Sequence, residues 1–233
     1  MKKFSFLAVA TIIAGAISFA ACNDGDNNDG NDSGNTGGNP AQTDEGLSQS
    51  VLVANLPTNV KITTRNTTSL PEAVENCVYT KLGNEWQCTM LANSEDAWTV
   101  YLKFDKNGNV LVEKTTQDGG ATWNTTSRFS DFKDFAQRST GKSLFYLSLT
   151  NISGGTLLGS MTETTDSETI CGHTCKKYLN PAHGQSGENA YWVDNESKLV
   201  FKEITQMNAE STFTFTVLSW DASVTAFDLP VSK

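Results

Sequence analysis

The stretch Trp98–Thr116, "WTVYLKFDKNGNVLVEKTT", decides the fold class. Trp98, Val100, Leu102 and Phe104 alternate with Thr99, Tyr101 and Lys103, the period of two that puts successive side chains on opposite faces of a strand. Asp105 to Asn109 then supplies turn residues, and the chain returns as a second run. The spacing predicts an antiparallel hairpin.

The same plan recurs along the chain. "AYWVDNESKLVFKEIT" (190–205) predicts a hairpin turning around Asp194 to Lys198, and "ENCVYTKLGNEWQCTM" (75–90) one turning at Leu82-Gly83-Asn84. In "STFTFTVLSW" (211–220), Phe213, Phe215 and Val217 face one way and Thr212, Thr214 and Thr216 the other. Helix signals are confined to the middle. Ser130 is placed to cap "SDFKDFAQRS", with Phe132, Phe135 and Ala136 on one face, while "KSLFYLSLTNISGG" (142–155) suits either a short helix or a buried strand. The expected fold is therefore mainly β, an antiparallel sheet interrupted by one or two helices and curled by strand twist.

Upstream of this domain the chain changes character twice. Lys2 and Lys3, an apolar run from Phe4 to Phe19 and the small residues Ala20 and Ala21 have the layout of a secretory signal, too short for a transmembrane helix. Phe19-Ala20-Ala21-Cys22 resembles a bacterial lipobox, which implies cleavage before Cys22 and an acylated cysteine as the new N-terminus. From Asn23 to Gly46 apolar side chains are almost absent, and Asp24, Asp26, Asp29, Asp32, Asp44 and Glu45 occur without Lys or Arg. Such a segment cannot bury enough surface to offset its ordering entropy, so it reads as a self-repelling tether rather than a calcium loop. The expected organisation is a signal peptide over 1–21, a lipidated Cys22 with its tether over 22–49, and one β-rich domain over 50–233.

The formal net charge of −9 argues against nucleic acid as a partner and against a basic membrane-docking face. Five cysteines leave four once Cys22 is lipidated. In an exported protein an even remainder reads as two disulfides, expected as Cys77 with Cys88 across a hairpin and Cys171 with Cys175 across a short loop.

Catalytic signals are weak. His173 in "CGHTC" and His183 in "NPAHG" raise zinc, but Cys-x-His-x-Cys is not a zinc spacing and exported thiols oxidise, so no metal or cofactor is expected. No Gly-x-Ser-x-Gly elbow or nucleotide loop occurs. Asp105, Glu113, Asp194 and Glu203 are expected to be solvated carboxylates, and the chain is expected not to be an enzyme. Trp86, Trp98, Trp123, Trp192 and Trp220 suit sheet core and cross-strand pairs better than a sugar-stacking face.

The segment "ETICGHTCKKYLN…GENAYWVDNESKLVFKEITQMN…TFTFTVLSWDASVTAFDLP", roughly residues 165 to 230, resembles the C-terminal half of periplasmic lipoprotein-carrier-like proteins, the LolA, LolB, LppX and RseB superfamily. The resemblance implies a strongly curved, open antiparallel half-barrel with helices on its concave side, enclosing an apolar site for acyl chains or a lipoprotein. Together with the lipobox it predicts a lipid-anchored protein of the bacterial envelope, at the outer membrane, whose membrane contact runs through its anchor. The alternative is a surface adhesion or glycan-binding β module.

Overall fold

The computed structural model describes residues 56–69, 72–92, 94–137, 161–181 and 188–231. The signal, Cys22, the tether, the 142–155 segment and His183 lie outside them, and the described residues belong to one compact unit, Ala41–Lys233.

Eleven strands form one antiparallel sheet: β1 (Asn59–Ser69), β2 (Glu72–Leu82), β3 (Glu85–Met90), β4 (Trp98–Phe104), β5 (Val110–Thr116), β6 (Asn124–Thr125), β7 (Thr162–Ile170), β8 (His173–Pro181), β9 (Glu188–Asp194), β10 (Val200–Gln206) and β11 (Thr212–Asp221). Their spatial order is β6-β5-β4-β3-β2-β1-β11-β10-β9-β8-β7. Two meanders are thus joined where the first strand pairs with the last, and among the described residues β6 and β7 are the edges of a curved, open sheet. All three hairpins expected from the sequence are present. Bulges between Thr63 and Thr64, Lys103 and Phe104, and Val200 and Lys202 break the register where extra twist is introduced.

Turn chemistry explains the register. Leu82 pairs with Glu85 across the two-residue loop Gly83-Asn84, with Gly83 at φ 61°, a conformation that glycine adopts without strain. Ile170 pairs with His173 across Cys171-Gly172, both in the left-handed region at φ 52° and 84°.

The helix α1 (Phe132–Gln137) starts one residue later than a Ser130 cap would place it. Asp131 is the cap: its Oδ1 accepts the Asp134 N–H at 2.8 Å, while Asp134 Oδ2 accepts the Ser130 N–H at 3.1 Å. Phe132 and Phe135 pack onto the sheet, with the Phe132 ring 5.5 Å from both Trp86 and Phe104. Among the described residues no helix is long and apolar enough to cross a membrane.

Call the face under α1 inner. It carries Val60, Ile62, Tyr79, Trp86, Val100, Leu102 and Phe104, each at most 1% exposed, worth roughly 1.5–3 kcal/mol per large aliphatic or Phe side chain relative to exposure. The opposite face is covered too. Gln87 exchanges two hydrogen bonds with the Leu229 backbone at 2.8 and 3.1 Å, Phe227 meets Tyr101 edge-on at 5.7 Å, and Trp123 Nε1 donates to the Pro230 carbonyl at 3.0 Å. The closing "FDLP" is a strap across the outer face.

Candidate functional site

The inner face has two halves of different character. Over β1–β5 it is packed shut beneath α1. Over β8–β11 the side chains align in a row set by register: Tyr178 opposes Tyr191, Tyr191 opposes Glu203, and Glu203 opposes Phe215. Tyr178 and Tyr191 are only half-buried, and like Met161 and Met207 they pack against the core.

Glu203 is the chemical centre of this row. It is 9% exposed, its Oε1 accepts the Thr205 hydroxyl at 2.7 Å, and Tyr191 bonds to it as well. Burial pushes its carboxyl up to about 7, against the pull of those two hydrogen bonds, and burial together with this carboxylate lifts the Tyr191 phenol to about 12. A carboxyl in this position is neutral in mildly acidic solution, when the row presents only aromatic, aliphatic and uncharged polar surface.

The expectation of solvated carboxylates fails at three of four positions. Glu113 is 3% exposed and accepts the Thr126 hydroxyl and the N–H groups of Arg128 and Phe129, fixing the run into α1. Asp194 is 2% exposed and organises its own turn, accepting the Ser197 N–H and hydroxyl at 2.8 and 2.6 Å. Glu203 faces the aromatic row. Each had backbone or hydroxyl donors that residue spacing does not reveal. Asp105 does hold a surface turn, where hydrogen bonds from the Asn109 side chain and nearby backbone N–H groups lower its carboxyl.

His173 Nδ1 lies 3.4 Å from Asp194 Oδ2, and its ring lies tilted against Phe201 at 4.7 Å and edge-on to Trp220 at 5.2 Å. Ser197 bonds the aspartate rather than the histidine, so the three groups do not form a relay that could activate a nucleophile. The tryptophans serve packing: Trp86 against α1, Trp220 against Phe201, and Trp192 beneath the Lys202 and Lys177 ammonium groups at 4.4 and 5.7 Å. Trp98 borders an open groove of about 620 Å³ with Asp118, Asn124 and Arg128.

All four domain cysteines are thiols in the structure. Cys77 and Cys88 share the inner face on neighbouring strands, and register places Cys88 opposite Tyr79 and Thr64 opposite Cys77. Burial first, then neighbouring Cys77, holds the Cys88 thiol well above its usual range, opposed by a hydrogen bond from Tyr79. Cys171 occupies the β7–β8 turn, and burial, with Asp194 and Glu168 adding, pushes the Cys175 thiol up to about 12.

No family model and no curated protein matches the chain. Solved structures resemble parts of the chain at low identity and with TM-scores below 0.5. The Pseudomonas aeruginosa MucA/MucB complex contains a chain with 8% identity and a TM-score of 0.43, covering 77% of this chain and 57% of that one. A DUF1329 family protein from Desulfovibrio piger has 8% identity and a TM-score of 0.32, covering 76% and 92%. PNGF-II has 12% identity and a TM-score of 0.35, covering 73% and 29%. The chain spans a little over half the length of the first of these.

Proposed function

We propose that this chain is a non-enzymatic, lipid-anchored protein of the bacterial envelope that binds an acyl chain, free or on a lipoprotein, against the β8–β11 half of its inner face. The observation that carries this reading is the Tyr178-Tyr191-Glu203-Phe215 row, in which Phe215 and Glu203 are buried and the two tyrosines remain half-buried on an open sheet. Large aromatic surface left partly unpacked suits an apolar ligand. The lipobox at Cys22 and the acidic tether support an anchored domain held clear of the bilayer, at the outer membrane.

Two measurements test the halves of this proposal separately. Solvent extraction of the protein purified from its native membrane is expected to release about one equivalent of acyl lipid beyond the covalent anchor; none would argue against the ligand. Cys22→Ala is expected to move the protein from the membrane to the soluble envelope fraction. Unchanged membrane retention would contradict the anchor.

The groove beside Trp98 supports a second reading as a glycan-binding module. An aromatic ring bordered by carboxylate, amide and guanidinium groups offers the stacking surface and hydrogen-bond partners that sugars need. A glycan array that returns ligands, with no acyl lipid recovered, favours it.

A further inference from the structure

Away from the aromatic row, three sulfur atoms meet in the packed half. Cys77 on β2 and Cys88 and Met90 on β3 share the inner face, where Cys77 Sγ lies 3.5 Å from Met90 Sδ and Cys88 Sγ lies 3.8 Å from the same atom. Both cysteines are 0% exposed and Met90 is 8% exposed.

We infer that Cys77, Cys88 and Met90 form a binding site for one cuprous ion, held by two thiolates and a thioether. Soft sulfur ligands select Cu(I), whereas zinc takes four ligands from thiolate, imidazole and carboxylate. The His, Cys, Asp and Glu side chains of the described residues form no metal-holding group of three by themselves, so the thioether is what completes this set. Spacing fits as well: with metal–sulfur bonds of about 2.3 Å, three trigonal sulfurs stand about 4 Å apart, close to the two separations from Met90 Sδ, 3.5 and 3.8 Å. The ligands need only small side-chain shifts, because two strands joined by a two-residue turn fix their positions.

A second observation points the same way. Thr64 is the cross-strand partner of Cys77, is 0% exposed, and its hydroxyl has no hydrogen-bond partner. A buried hydroxyl left in that state is destabilising, because its desolvation is not offset by a hydrogen bond. The hydroxyl does not bond Cys77 Sγ in the structure, and a change of Thr64 rotamer toward a Cys77 thiolate formed on metal binding would give it the acceptor it lacks, as outer-shell groups do around bound metals. Loading balances simply: Cu⁺ enters, the two thiol protons leave to solvent, and no electron is transferred. Met90, at the end of β3 and the least buried of the three, marks the side of entry.

The test is titration of the full mature protein with Cu(I) under anaerobic, reducing conditions, in competition with bathocuproine disulfonate. One equivalent is expected to be retained, with sulfur-to-copper charge-transfer absorption in the ultraviolet. Cys88→Ser is expected to abolish retention. Met90→Leu conserves volume, so the fold survives, and it is expected to weaken binding at least tenfold; Thr64→Val is expected to cost about tenfold. Cys171→Ser/Cys175→Ser is expected to keep the full equivalent. Loss of all copper to the chelator from the unmutated protein, or retention unchanged in both Cys88→Ser and Met90→Leu, overturns the inference. So does failure of Cys77 and Cys88 to alkylate when protein isolated from cells is unfolded without reductant, since a disulfide would then occupy both ligands.

Discussion

The two halves of the inner face share one sheet and one strand period, yet they end differently. Under α1, Trp86, Phe104, Phe132 and Phe135 interlock and are nearly inaccessible. Across β8–β11, Tyr178 and Tyr191 stay half-buried around a carboxyl whose charge burial opposes. The difference lies in what each half offers a covering element: interlocking phenyl and indole rings in one, phenol tips and a titrating acid in the other. Alternation creates a buried face, but side-chain chemistry decides whether packing closes it.

The largest expected effect separates the halves by stability. Phe104→Ala is expected to lower unfolding free energy by about 3–5 kcal/mol, measured from urea midpoints, and Tyr178→Ala by about 1 kcal/mol or less, since its native burial is partial. Equal losses would erase the distinction.

Next comes pH. Because the folded-state pKa of Glu203 is raised to about 7 from a usual 4.5, its protonated form favours the fold. That stability is fully present below about 4.5 and is lost as pH rises through about 7. Glu203→Gln is expected to flatten this part of the stability–pH curve and to raise stability at pH 8. An unaltered slope would place the titration elsewhere.

Smaller effects sharpen the picture of how the packed half is closed. Asp131→Ala removes the α1 cap and is expected to cost about 1 kcal/mol, read by thermal unfolding. Lys61 bonds Asp228 of the strap at 2.6 Å with both side chains substantially exposed, so Asp228→Asn is expected to cost less than about 0.5 kcal/mol.

Much of the fold was legible in the residues. Alternation located the β4–β5 and β9–β10 hairpins and β11, and Asp, Asn and Gly located their turns. Register was harder, because a hairpin's pairing depends on which residues occupy the loop. With Gly83-Asn84 in the loop, Cys88 faces Tyr79; a loop at Leu82-Gly83 would have set Cys77 opposite Cys88 instead. Spacing alone could not choose. The joining of β1 to β11, the strap over Gln87 and Tyr101, and the burial of Glu113, Asp194 and Glu203 all come from contacts distant in sequence. A signal for Glu203 did exist: its position in phase with Phe201 and Thr205 put it on the face that Phe215 occupies. The sulfur set was visible as three residues, Cys77, Cys88 and Met90, but only register brings them together.

The central claim is that the β8–β11 half of the inner face holds an apolar ligand while the β1–β5 half does not. Displacement of a fluorescent fatty acid from the delipidated mature protein tests it most directly, comparing Tyr178→Ala/Tyr191→Ala with the unmutated chain. One saturable site is predicted, weakened about tenfold in the double variant while its unfolding midpoint shifts little. No uptake by the unmutated chain, or equal affinity in both proteins, would contradict it.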